Sequence, residues 1–161
     1  MHLFRMRRAV LGLTSLVATL GVGLVTATSA GAIALPFTAN MTAAQMNAAG
    51  TPGEAGASGT ASLSMDSTTN QICYSISWSG IPDGVVFGHI HEGQAGVPEN
   101  PGFTVNLFGP NLSGAKSPQS GCVLAIPGQI NLIELTPAFY LVTLHSKNFP
   151  VGAIRGQLVK G

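Results

Sequence analysis

The chain has 161 residues, of which 8% are charged and 45% hydrophobic, with 21 glycines and 10 prolines. Average soluble proteins have about 25% charged residues. The low charge excludes a coiled coil, a charged disordered tail and an electrostatic nucleic-acid binder. Two cysteines are too few for a disulfide-dense miniprotein or a four-thiolate zinc site, and the length fits one folded domain.

Residues 1–34 have the pattern of a secretory signal peptide. Three arginines precede an apolar stretch over residues 9–25, and small residues follow as far as Ala34. A basic head, an apolar middle and a small-residue end are typical of such a leader. We expect cleavage after Ala34, with Ala32 as second choice. An uncleaved membrane anchor is the alternative, disfavoured because the apolar stretch is short and interrupted by glycines.

Cleavage would leave residues 35–161 as the mature domain, with four cations, six anions and a net charge of −2. We expect this domain to be secreted, with the bacterial periplasm or cell surface as other extracytoplasmic locations. The pair Arg7-Arg8 leaves twin-arginine export open beside the general route. After cleavage no membrane span is expected.

The mature chain alternates apolar and polar residues nearly throughout, with turn residues about every ten positions. This pattern predicts an all-β domain, a single antiparallel β-sandwich or flattened barrel with Greek-key-like, superoxide-dismutase-like or immunoglobulin-like topology. One or two helical turns are expected after Thr42 and within residues 127–136. The predicted strands cover residues 35–41, 60–66, 71–79, 85–91, 103–107, 122–126, 138–145 and 151–159.

The two cysteines are predicted to form a disulfide, because an exported protein folds under oxidising conditions. Cys73 shares a strand face with Ser75 and Ser77, opposite the apolar residues of the same strand. We therefore expect the Cys73–Cys122 bridge on the outer side of a sheet, between neighbouring strands. Two free buried thiols are the alternative.

Three histidines of the mature chain are the candidate site for chemistry. His89 and His91 lie on one face of a predicted strand, and His145 ends another. Such a set can provide three imidazole nitrogens to a metal ion, and both zinc and copper suit imidazole. The alternative is that all three are ordinary strand histidines with a structural role.

Arg155 is the only arginine beyond the leader. We expect it to form an ion pair with Asp66, Asp83 or Glu92 and so to hold the last strand. A role in receiving an anion at the histidines is the second possibility.

The chain resembles the CHRD (chordin-type) domain family over nearly the whole mature region. The segments that carry the resemblance are TAAQ (42–45), ISWSG (76–80), GHIHEG (88–93), and HS (145–146) through FP (149–150) to GAIRGQL (152–158). The resemblance implies an extracellular β-sandwich without an established catalytic activity. Growth-factor binding in chordin involves other modules that this chain lacks, so the resemblance does not extend to it.

Two segments are also similar to the copper-ligand strands of copper/zinc superoxide dismutases, GHIHE (88–92) and VTLHSK (142–147). That similarity implies His89, His91 and His145 as copper ligands. The bridging histidine and zinc ligands of that family have no counterpart, since no histidine lies between His91 and Cys122 and, beyond the adjacent Glu92, the only acid there is Glu99. Only a mononuclear site is compatible with this sequence.

We therefore expect a secreted, non-catalytic CHRD-domain module that binds an extracellular partner or has a structural role. The alternative is a mononuclear copper or zinc protein, superoxide-dismutase-like in its reaction, that uses the three histidines. No other cofactor and no nucleic-acid partner are expected.

The leader prediction is tested by N-terminal sequencing of the secreted protein, which should begin at Leu35 or, with the second cleavage position, at Ile33. Recovery of an intact form beginning at Met1 from the membrane fraction would contradict cleavage.

Overall fold

The computed structural model describes residues 33–111 and 113–161. The leader predicted for residues 1–34 lies outside these residues except for its last two positions. Within the described part of the chain, no helix has the length and apolar character needed to cross a membrane.

Strands dominate the described residues. The elements in chain order are β1 (Leu35–Thr42), α1 (Ala43–Ala48), β2 (Ser58–Asp66), β3 (Gln71–Ser79), β4 (Phe87–Glu92), β5 (Asn100–Phe108), β6 (Gln119–Leu124), α2 (Gln129–Leu135), a 3₁₀ turn (Pro137–Phe139), β7 (Tyr140–His145), β8 (Ile154–Gln157) and β9 (Val159–Lys160).

All strand pairs are antiparallel and belong to one sheet with the order β5-β4-β7-β8-β1-β2-β3-β6, in which β9 pairs with β1. The edge strands β5 and β6 contact each other, so the sheet curls around its own apolar face and closes a sandwich-like core. This architecture confirms the predicted all-β fold. The two short helices also lie where the sequence placed helical turns.

Alternation places one face of each strand in the core. In β2, Ala61, Leu63 and Met65 are buried while the serines between them are exposed, as predicted. In β3 the inward stripe contains Ile72 and Ile76, which are fully buried, and two half-buried aromatics. Those aromatics, Tyr74 and Trp78, both stack against Phe108 of β5, with ring centroids 6.0 and 6.1 Å apart.

The last predicted strand, residues 151–159, divides into β8 and β9. β8 pairs with β7 on one side and β1 on the other. After β8 the Leu158 N–H donates to the Tyr140 carbonyl oxygen at 2.9 Å, and β9 pairs with β1 alone among the named strands. The strand predicted from Val85 begins at Phe87, because Val85 forms only an isolated bridge with Ala115.

β7 differs from the outer strands because all six of its residues are buried. Tyr140, Val142 and Leu144 belong to the apolar core, so Leu141, Thr143 and His145 lie on the opposite, outer face. That outer face is shielded from water as well, which provides a buried polar environment outside the hydrophobic core.

Cys73 and Cys122 form a disulfide between directly opposed residues of β3 and β6. Cys73 is half-buried and Cys122 exposed, on the side of the sheet that carries Ser75 and Ser77. The structure therefore agrees with the expected bridge between neighbouring strands on the outer face.

We expect Cys73→Ser to lower the melting temperature in non-reducing buffer, because the bridge closes a loop with a sequence separation of 49. Loop-closure entropy limits the loss to about 4 kcal/mol. Calorimetry with and without reductant measures it, with Ser75→Ala as the control on the same strand face. An equal loss under both conditions would contradict a stabilising disulfide.

Candidate metal centre

The pairing of β4 with β7 brings the predicted site residues to one surface. His89 lies opposite Thr143 and His91 opposite Leu141, while His145 pairs with Phe87. Because Ile90 and its partner Val142 point into the core, the neighbouring odd-numbered residues all point to the outer face. The three histidines thus share one side of two adjacent strands; of this, the sequence had indicated the common face of His89 and His91.

The three imidazoles converge on one point. His89, His91 and His145 each offer a ring nitrogen, and these atoms all lie within 4.8 Å of one another. The separation between His89 Nδ1 and His145 Nε2 is 3.1 Å, which is a hydrogen-bond distance. Nitrogens about 2.0–2.1 Å from a common ion stand about 3.3 Å apart in a tetrahedral site. Small rotations of the rings would therefore complete a three-nitrogen set.

The orientation of His145 follows from its second ring nitrogen. His145 Nδ1 lies 3.1 Å from the Pro150 carbonyl oxygen, which can only accept a hydrogen bond, so Nδ1 carries the proton. In the neutral ring Nε2 then carries the lone pair, which faces His89 and accepts a hydrogen bond from its Nδ1 when that nitrogen carries the proton. A carbonyl behind a histidine is the usual means of holding a metal-binding tautomer.

The pKa values of two histidines are strongly lowered. Burial is the main cause for His89, assisted by repulsion from His91, and its pKa falls to about 4. Burial also dominates for His145, whose pKa falls to about 4, with repulsion from His89 adding to it and the hydrogen bond to Pro150 opposing it. Both rings are therefore neutral at pH 7.

Glu99 is a site residue that the sequence analysis did not assign. It precedes β5, and its Oε1 lies 3.7 Å from His91 Nε2, while its Oε2 accepts a hydrogen bond of 2.7 Å from Thr143 Oγ1. A carboxylate in a glycine- and proline-rich loop has no periodic signal that predicts its direction. Its only signal was that it is an acid in the segment after His91.

Arg155 has other partners than those predicted. It lies on β8 opposite Thr143, is 2% exposed, and its Nη2 donates to the carbonyl oxygens of Gln94 and Val97 at 2.9 and 2.8 Å. Burial lowers the pKa of Arg155 and the nearby Glu99 carboxylate opposes that shift.

The predicted ion pairs of Arg155 with Asp66, Asp83 or Glu92 are wrong, because each carboxylate bonds with other groups. Asp66 accepts hydrogen bonds from the backbone N–H groups of the turn that follows it. Asp83 bonds with Asn148 and Glu92 with Asn100. Arg155 instead holds the loop between β4 and β5 over the outer face of β7.

The lowered histidine pKa values predict a pH-dependent stability for the metal-free protein. In unfolded chains histidine has a pKa near 6.5, so between about pH 6.5 and 4 the unfolded state binds more protons than the folded state. The free energy of unfolding should therefore fall as the pH falls through this range. Calorimetry in the presence of a chelator measures it.

The variant His89→Asn should show a smaller loss over the same range, because it removes one shifted group and one repulsive neighbour of His145. An equal pH dependence in both proteins would show that the histidines do not cause it.

The CHRD domain family matches residues 37–158 of the chain. No curated protein matches the chain, and no solved structure does. The match covers β1 through β8 and includes both strands that carry the histidines. This chain belongs to the CHRD domain family.

Proposed function

We propose that this protein is a secreted CHRD-domain module that binds one copper or zinc ion through His89, His91 and His145. The observation that carries the proposal is the convergence of three ring nitrogens within 4.8 Å. Packing three imidazoles together requires their charged forms to be suppressed, and an ion bound between them would offset that cost.

The protonation state of two rings suits a metal ligand. Two of the rings are neutral at pH 7 and have lone pairs to donate, since their pKa values lie near 4. A metal ion competes with protons for the same lone pairs. Rings that reject protons at neutral pH are therefore ready to bind an ion without prior deprotonation.

The surroundings support a preorganised site. His91 and His145 are buried and His89 is half-buried, so the rings have lost most of their freedom before an ion arrives. Both carrier strands are interior strands of the sheet. Ligands on rigid elements bind with a smaller loss of entropy than ligands on loops, and the exposed side of His89 gives an ion a route from solvent.

Export is part of the proposal and rests on three observations. The leader pattern of residues 1–34 is typical of secretion. The family is known from extracellular proteins, and the Cys73–Cys122 disulfide is the kind of bond that persists in an oxidising compartment. We assign a binding role to the histidines and no catalytic reaction.

The proposal predicts one zinc or copper ion bound per chain, and a loss of about 100-fold or more in affinity in His91→Ala. Removing one of three ligands leaves too few donors to hold the ion. Titration calorimetry with Zn²⁺ and Cu²⁺, together with metal analysis, measures both quantities.

Ser75→Ala, an exposed position on β3, is the control and should bind like the unaltered protein. Bound ion should also stabilise both proteins and raise their melting temperatures. At a free ion concentration of 100 times the dissociation constant, the gain in the free energy of unfolding is about 2.7 kcal/mol. No such gain is expected in His91→Ala. If neither ion binds the unaltered protein, a metal role for the histidines is wrong.

A further inference from the structure

We propose that Glu99 is the fourth ligand of the metal centre, so that the chain holds the ion with three imidazoles and one carboxylate. This inference rests on the proposed metal-binding function and adds the residue that completes it. It starts from the separation of 3.7 Å between Glu99 Oε1 and His91 Nε2. Two ligands that share one ion lie about 3.3 Å apart at tetrahedral angles and at most about 4.2 Å apart, and the 3.7 Å to His91 is within that range. The ligand atoms that already lie within 4.8 Å of one another are those of the three histidines without Glu99, so Oε1 would join them by a movement toward His89 and His145.

The second oxygen of Glu99 determines where the first one points. Oε2 accepts a hydrogen bond of 2.7 Å from Thr143 Oγ1. Thr143 is the cross-strand partner of His89 and lies two residues before His145, on the same face. The carboxylate is therefore tied to the residue that lies between two of the ligand histidines, with Oε1 turned toward the third.

The loop that carries Glu99 is held in place by the sheet. Arg155 donates to the carbonyl oxygens of Gln94 and Val97, and Gln157 Nε2 donates to that of Gly93 at 2.6 Å. Both donors lie on β8, beside β7. The side chain of Glu99 is only 12% exposed, so little entropy remains to be lost when it binds an ion.

Charge balance favours a carboxylate at this place. Three neutral imidazoles would leave the two positive charges of the ion uncompensated beside the buried guanidinium of Arg155. A buried charge is costly unless an opposite charge lies close to it. Among the carboxylates, Glu99 is the one for which the structure gives contacts with both a site histidine and a residue between the site strands.

Four protein ligands would have a functional consequence. Sites closed by four protein ligands hold an ion in place, whereas catalytic zinc sites keep one position for water or substrate. A three-histidine, one-carboxylate set would therefore retain the ion and offer no open position for a reaction.

The test compares Glu99→Gln with Glu92→Gln in the full-length secreted protein. Both changes remove one negative charge near the start or end of the loop between β4 and β5, but Glu92 points to the other face and bonds with Asn100. Zn²⁺ titration measures affinity. Co²⁺ serves as the spectroscopic probe, because four-coordinate Co²⁺ absorbs visible light much more strongly than higher-coordinate Co²⁺ and its bands depend on the donor atoms.

We expect Glu99→Gln to lower the Zn²⁺ affinity by about 100-fold, at the upper end of what the loss of a supporting group causes, and to alter the Co²⁺ bands. Glu92→Gln should change neither. Thermal unfolding of the metal-free variants verifies that both fold, and glutamine can still accept the hydrogen bond from Thr143.

Three outcomes would overturn the inference. An unchanged affinity in Glu99→Gln would exclude ligation, and equal losses in both variants would indicate a general charge effect. A lower affinity with unaltered Co²⁺ bands would make Glu99 a positioning residue for His91. In each case a strong loss in His91→Ala would leave the three-histidine function standing, whereas absence of binding in the unaltered protein would remove both proposals.

Discussion

The register between β4 and β7 places His89 beside Thr143 and His145 beside Phe87, and the site depends on it. Successive residues of a strand point to opposite faces, so a slip of one residue would turn the histidines of one strand into the apolar core. Ile90, Val142 and Leu144 prevent that slip because they fill the core from the same two strands. The hydrophobic interior therefore determines the geometry of a polar cluster that it does not contain.

The second constraint is that β7 is buried on both faces. The core covers one side, and the loop between β4 and β5, held by Arg155, lies over the other. Removal of water from this side lowers the pKa of His89 and His145. The same loop carries Glu99, whose Oε1 lies 3.7 Å from His91 Nε2. One buried guanidinium thus holds the loop that carries Glu99, a carboxylate in contact with His91.

The sequence predicted what depends on periodicity and composition. Alternation predicted the antiparallel sheet, the inward faces of β2 and β3, the outward position of Cys73 and the common face of His89 and His91. It could not predict Glu99 or the partners of Arg155, because both depend on an irregular loop whose path is determined by tertiary hydrogen bonds. The division of the last strand also escaped prediction, since the end of its pairing with β7 leaves no mark in the apolar pattern.

Membership of the CHRD family accounts for the all-β fold. The metal site rests on the positions of this chain's own histidines. The central claim is that three imidazoles bind one ion, and anomalous diffraction from crystals grown with zinc or copper tests it most directly. Our account predicts one strong anomalous peak about 2.0–2.1 Å from a ring nitrogen of each of His89, His91 and His145. A peak elsewhere on the surface, or none at the histidines, would contradict it.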